Sequence, residues 1–357
     1  MKRKNIMKIL RNRPVKTGRY SSVHLQMDDY QKILKKNVIA LMLIFMSSLP
    51  LFSSGTTVFD FLNISQGARP LALSGAYCGI SDDINTMNTN PAGLSMISRK
   101  QVSLAHTEWL DDVCYENAIF VNRLTDSSGF GFEFNYLHMG EMTGRDVNGR
   151  RTSDFSSRDL SLGVAYGTEF LQGHSIGFKL KYISEQIAQF QANTIALDIG
   201  SLNKTPVENL TFGIKIENIG PSVKFIKVNE PLPTKIWTGL GYRLIDNLIL
   251  AMDSGFSSSE PTDVRFGIEY NMSDLGSLRA GFKNNSFSKT GLTENGMFSF
   301  GFGIVKGNYN IDYAYVPFGL LGDTHRISIT MKFALKPDKY FLRLYKDKTL
   351  LKELPLE

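Results

Sequence analysis

The sequence predicts an all-β protein, an antiparallel transmembrane β-barrel of about fourteen strands, preceded by a compact, turn-rich N-terminal plug. Three observations carry this. From residue 99 onward, apolar residues alternate with polar or small ones, the pattern of strands with one apolar and one polar face. Most segments run roughly 8 to 12 residues, close to the 9–11 that a tilted transmembrane strand needs. Short connections alternate with longer ones, the asymmetry of a barrel with short periplasmic turns and long outer loops.

The chain of 357 residues divides into a leader with a signal peptide (1–55), the hatch (56–98), the barrel (99–333) and a periplasmic C-terminal tail or short hairpin (334–357). Lys35 and Lys36 precede an apolar run from Val38 to Phe52, interrupted by Ser47, Ser48 and Pro50. Ser53 and Gly55 supply the small residues of a cut after Gly55, as in a cleaved signal peptide. The run falls short of the ~20 residues a membrane-spanning helix requires. No cysteine follows it, which argues against a lipid anchor. The basic preface 1–34 is long for a leader, and Met27 makes a better start. Residues 1–36 hold eleven Lys/Arg against two Asp/Glu, a balance of +9; the rest holds 29 against 32, a balance of −3. The pI of 9.1 thus belongs to the leader, and the folded part has no charge for nucleic acid.

Residues 67–94 organise the rest. Gly67, Ala68, Arg69, Gly75 and Tyr77 lie in a small-residue half; Asp82, Asp83, Asn90, Pro91, Ala92 and Gly93 lie in a polar half. Asn90-Pro91 reads as a helix start, since Asn caps a free first-turn N–H and Pro suits the next position. Asp82 is expected to cap the segment before it. Arg69 is expected to pair with a carboxylate in the plug or on the lumen wall. Asp82, Asp83, Asn85, Asn88 and Asn90 offer oxygens of the kind calcium takes, but their spacing is not that of a known loop. Caps and hatch-to-wall hydrogen bonds are the expected role, and no metal or cofactor is assigned.

The barrel segments centre near residues 104, 119, 133, 162, 179, 197, 212, 238, 250, 266, 280, 299, 311 and 329. Glu133, Lys179, Lys181, Asp198, Lys215, Glu217, Asp253, Glu269 and Asp312 fall on the polar faces and are expected to point inward. Glycine and serine on those faces suit a lumen that holds a plug. Tyr136, Tyr182, Tyr242, Tyr270 and Tyr315 stand near strand ends, as in interfacial girdles. The longer connections are expected at 140–157, 186–193, 218–233, 284–294 and 316–324. Phe333 closes the last segment and is the candidate insertion signal.

The run Gly67-Ala68-Arg69, then Ser74-Gly75-Ala76-Tyr77, then Asp82-Asp83 and Asn90-Pro91-Ala92-Gly93-Leu94 resembles the N-terminal region of the PorV/PorQ family of FadL-like outer-membrane proteins. Ser74 replaces a glycine of that pattern, and Pro70 and Cys78 are unusual at their places. Residues 154–200 resemble the family's third and fourth hairpins. The stretch from Asp312 to Ser328, with Pro317, Gly319, Gly322, Asp323, His325 and Arg326, resembles its last hairpin. The resemblance spans about residues 55 to 333. It implies a hatch inside a barrel in the outer membrane of a Gram-negative type of cell, in contact with its lipid.

Two functions follow from the resemblance. PorV-like members act with the type IX secretion system, so secreted cargo proteins and secretion-system subunits are the expected partners of a secretion or surface-protein accessory. FadL-like relatives take up hydrophobic small molecules past the hatch and out through the wall. No enzyme is expected: the sequence has no nucleophile elbow, no metal-ligand cluster and no phosphate loop. A catalytic pair of His325 and Ser328 is set against an ordinary loop histidine. Cys78 and Cys114 either tie hatch to wall or stay as two unpaired thiols.

Overall fold

A computed structural model describes residues 57–108, 113–225, 227–257, 262–272, 275–284, 297–317, 323–333, 340–346 and 349–356. The leader lies outside the described residues, as do Gly319 and Gly322 of the last-hairpin motif.

Fourteen antiparallel strands close into one barrel. Their ranges are β1 Gln101–Glu108, β2 Val113–Thr125, β3 Ser128–Met139, β4 Ser157–Leu171, β5 His174–Ile187, β6 Phe190–Lys204 and β7 Leu210–Ile219. The second half has β10 Lys235–Ile245, β11 Leu248–Ser257, β12 Asp263–Asn271, β13 Gly276–Asn284, β14 Met297–Lys306, β15 Tyr309–Pro317 and β16 Asp323–Lys332. Two short strands, β8 Val223–Lys224 and β9 Asn229–Glu230, form a separate ribbon within the β7–β10 connection. The barrel closes between β1 and β16, with Gln101 opposite Lys332 and Glu108 opposite His325. Beyond it, β17 Tyr340–Lys346 and β18 Thr349–Leu356 pair as a two-stranded hairpin, one of the two forms expected for the tail.

Every barrel segment expected from the alternation is a strand. The polarity of the wall is inverted relative to a water-soluble sandwich. Leu162, Val164, Phe300 and Ile329 are 43 to 53 % exposed on the outside, while Ser161, Glu133 and Asp312 are buried inside. Such a band encircling the molecule exceeds the few hundred Å² of contiguous apolar surface that a soluble monomer shows. No helix among the described residues is long and apolar enough to cross a membrane; strands are the only elements that could.

One connection departs from expectation. Residues 186–193 are not a long loop: β5 and β6 continue to Ile187 and Phe190, which face each other across a tight turn with Ala188 at φ 53°. The outward face turns polar at this height, where Ser184 pairs with Asn193 and Gln186 with Gln191, so the apolar alternation fades where the strands rise past the apolar band. Strands β2 to β6 run 12 to 15 residues against 8 to 11 elsewhere, so one side of the wall stands taller at the loop end. At the opposite, turn end, the Phe333 N–H donates to the Lys100 carbonyl at 2.9 Å and the Lys100 ammonium lies 4.1 Å from its ring centroid.

Candidate functional site: the hatch and its seats on the wall

Residues 57–97 fill the lumen with short helical turns instead of a stable domain. Helix α1 is Ala68–Ala72 and α2 is Thr86–Thr89; 3-10 turns cover Asp60–Asn63 and Pro91–Met96. None is long enough to persist alone in water, so the wall must hold them.

The Asn90 expectation holds. Its side-chain oxygen accepts from the Ala92 N–H at 3.2 Å, and Pro91 opens the 3-10 turn. Its amide nitrogen also donates to the Cys78 and Ser201 carbonyls at 3.1 and 3.0 Å, which ties the turn to β6. Asn90 is fully buried, so each of these polar atoms needs its partner. Asp82 does not cap the segment before it. It accepts from the Arg69 guanidinium at 2.7 Å and the Tyr77 hydroxyl at 3.1 Å, and the larger charge wins. Asp83 accepts the Asn85 N–H at 2.9 Å in a tight turn ahead of α2, while its second oxygen meets Arg69 at 2.9 Å. Both carboxylates are thus held by Arg69.

Arg69 joins hatch to wall. Its Nε and Nη2 donate to the two oxygens of Glu269 on β12, each at 2.8 Å. Glu269 also accepts from Arg279 at 2.6 Å, and Arg279 donates to Asp312 at 2.7 Å. The chain of charges therefore runs from Asp82 and Asp83 through Arg69 to three barrel strands. Burial pulls the Arg69 pKa down, but Asp82 and Glu269 more than offset it and leave it well above the ordinary value. The Tyr77 ring lies 5.1 Å from this guanidinium, and burial pushes its hydroxyl pKa up, so it stays a donor.

A second seat is made by Asp253 on β11, one oxygen of which accepts from both the Tyr77 and Cys78 N–H groups at 2.8 Å. A third gathers at Asn88, whose side-chain oxygen takes Lys179 at 3.0 Å and whose carbonyl takes Lys215 at 2.8 Å. Lys179 pairs with Glu133, Lys181 with Asp198 and Lys215 with Glu217. All nine expected lumen charges are thus inside.

The remaining contacts are backbone on backbone, and they need glycine in the wall. A Cβ at Gly177 would stand 2.2 Å from the Pro91 carbonyl carbon, and one at Gly213 would stand 2.2 Å from the Cys78 oxygen. Within the hatch, Gly67 and Gly75 hold φ of 78° and 83°, values that glycine takes freely. A Cβ at Gly93 would collide with the Ser81 carbonyl at 2.0 Å. Ala68 and Ala92 are buried against wall and neighbouring turns. Ser74, where the resembled pattern has glycine, sits at φ 53° and is held by Ser299, which accepts its N–H at 2.9 Å.

Other residues separate. Of the last-hairpin motif, Pro317 ends β15 and Asp323 begins β16. Arg326 points inward and donates to the Ser65 carbonyl at 2.6 Å. His325 points outward to the Tyr313 hydroxyl at 2.7 Å, whereas Ser328 is buried on the inner face. The two lie on opposite sides of the wall, so they form no catalytic pair. Cys78 is in the hatch and Cys114 is on the outer face of β2; both are free. Burial pushes the Cys78 thiol up and keeps it protonated.

Residues 57–66 form a strap that no sequence motif marks. They lie at the loop end, where Val58, Phe59 and Phe61 pack against Tyr115, Ile183 and Leu232. Between strap and hatch lies a polar chamber of about 90 Å³ lined by Lys181, Lys215, Trp237, Asp253 and Arg265 among others. Beside it is an apolar cavity of about 180 Å³ lined by Ile64, Leu71, Ser74, Phe298, Val316 and Arg326 among others. It lies at a seam. The β14–β15 ladder starts at Phe300 opposite Tyr315, so among the described residues Ser299 and Val316 are not paired across it.

The comparisons agree with this architecture. The toluene transporter TbuX of Ralstonia pickettii superimposes with a TM-score of 0.55 at 15% identity, over 76% of this chain and 99% of the other. A FadL homologue of Pseudomonas aeruginosa gives 0.56 at 10%, over 76% and 99%. The toluene transporter TodX of Pseudomonas putida gives 0.54 at 14%, over 77% and 98%. The fold is therefore that of FadL-type barrels. No curated protein matches the sequence. The model of an uncharacterised protein family, UPF0164, matches residues 51–342.

Proposed function

We propose that this chain, which belongs to the uncharacterised protein family UPF0164, is an outer-membrane channel that passes hydrophobic small molecules beside a displaceable hatch. The observation that carries this reading is the apolar cavity at the β14–β15 seam. Its lining joins hatch residues Ile64 and Leu71 to Phe298, a residue of the outward, apolar face. An apolar solute there touches hatch and wall together, at the place where the β14–β15 ladder has not yet begun. The neighbours of the same fold are described as toluene transporters and a FadL homologue, which favours passage over the secretion-accessory role implied by the PorV/PorQ resemblance.

The test is uptake of toluene by liposomes containing the purified protein. Filling the cavity with Val316→Trp is expected to abolish uptake while the barrel stays folded, as judged by its heat-dependent shift on a detergent gel. Uptake at the parent rate by folded Val316→Trp protein would remove the cavity from the path.

A further inference from the structure

We infer that the chain enters the barrel from the loop-end mouth, so that the strap at Thr57–Gln66 lies at the cell surface with Asp60 exposed there. The inference rests on the outer-membrane reading for which side is which, but its evidence is separate. Features of the loop end hold the strap. The Val58 N–H donates to the Pro231 carbonyl at 3.2 Å, in the connection that precedes β10. Phe59 is 1 % exposed, and it packs with Val58 and Phe61 against Val113, Leu137 and Ala192. Val113 is the loop-end residue of β2, and Leu137 and Ala192 lie two residues from the loop ends of β3 and β6. Further in, Gln66 donates to the Tyr115 hydroxyl at 2.5 Å and Ser65 accepts from Arg326.

The chain then descends. Pro91 meets Gly177, and Leu94 meets Gly129, both near the turn end. Lys100 sits at the turn end beside Phe333. Residues 57–97 therefore cross the lumen once, from loop end to turn end, and do not enter and leave by the same mouth. The buried side chains of Leu73, Tyr77 and Leu94 fill the lumen along that path.

Single cysteines test this in a background carrying Cys78→Ser and Cys114→Ser. Asp60 is exposed on the strap, Gly149 lies in the long β3–β4 connection, and Asn308 lies in the short β14–β15 turn. Whole cells are treated with a membrane-impermeant maleimide, and folding of each variant is checked by the gel shift. The expected result is that Asp60→Cys is labelled like Gly149→Cys, and Asn308→Cys only after lysis. If Gly149→Cys is labelled on whole cells but Asp60→Cys only after lysis, the entry direction is wrong while the barrel reading stands. If Gly149→Cys also resists labelling until lysis, the orientation fails and the inference with it.

Discussion

Replacing Arg69 by alanine is expected to unseat the hatch and open the lumen. Arg69 faces three carboxylates, and its pair with Glu269 is bidentate at 2.8 Å, with side chains only 12 % and 2 % exposed. Removing one partner of a buried ion pair costs about 3–5 kcal/mol, because the other charge is left without compensation. Here Arg279 still holds Glu269, but Asp82 and Asp83 lose their shared cation and face that carboxylate across the vacated space. Single-channel recording in planar bilayers is the measurement: the parent protein is expected to be closed, and Arg69→Ala to conduct. Arg69→Lys keeps the charge but not the planar fork, so it is expected to rescue in part. Equal conductance in parent and Arg69→Ala would mean that the charge network does not hold the plug.

The second large effect is expected from the wall glycines. Gly177→Val and Gly213→Val place side chains where the Pro91 and Cys78 backbones now lie, 2.2 Å from the nearest hatch atoms. Overpacking of this kind usually costs about 1–3 kcal/mol, occasionally more. Backbone is the obstacle here, so no flexible side chain can yield. The barrel's own ladders do not depend on these contacts, so the hatch is expected to leave while the barrel still closes. Limited proteolysis should then cut between residues 67 and 97 in both variants. Gly140→Val, where nothing lies within 4 Å of the added Cβ, is the control and should resist like the parent. Protection of the hatch in Gly177→Val would contradict the seating described above.

What could be seen in the sequence, and what could not, follows from range. The fourteen strands were visible because each contrasts an outward residue such as Leu162 with an inward one such as Ser161, a local property of the chain. The Asn90-Pro91 turn was equally local. The partner of Arg69 was not: Glu269 lies 200 residues away, and only closure of the barrel brings it near. Asp82 was misread as a cap because a capping contact is local and the competing guanidinium is thirteen residues distant. Inward-facing glycines were visible as a type, but their task is set by where the hatch backbone passes. The strap escaped notice because three buried apolar residues, Val58, Phe59 and Phe61, have no period that marks them out. The tip of the β5–β6 hairpin reads as a loop because above the apolar band its outward residues are polar.

Quenching of tryptophan by lipids with brominated acyl chains measures directly which way the wall faces. The chain has two tryptophans, and Trp109→Phe leaves Trp237, which is 6 % exposed and turned into the lumen. In brominated vesicles Trp237 fluorescence is expected to persist, and a tryptophan added by Leu162→Trp is expected to be quenched. Quenching of Trp237 together with an unquenched indole at position 162 would place the apolar faces inside and overturn the account.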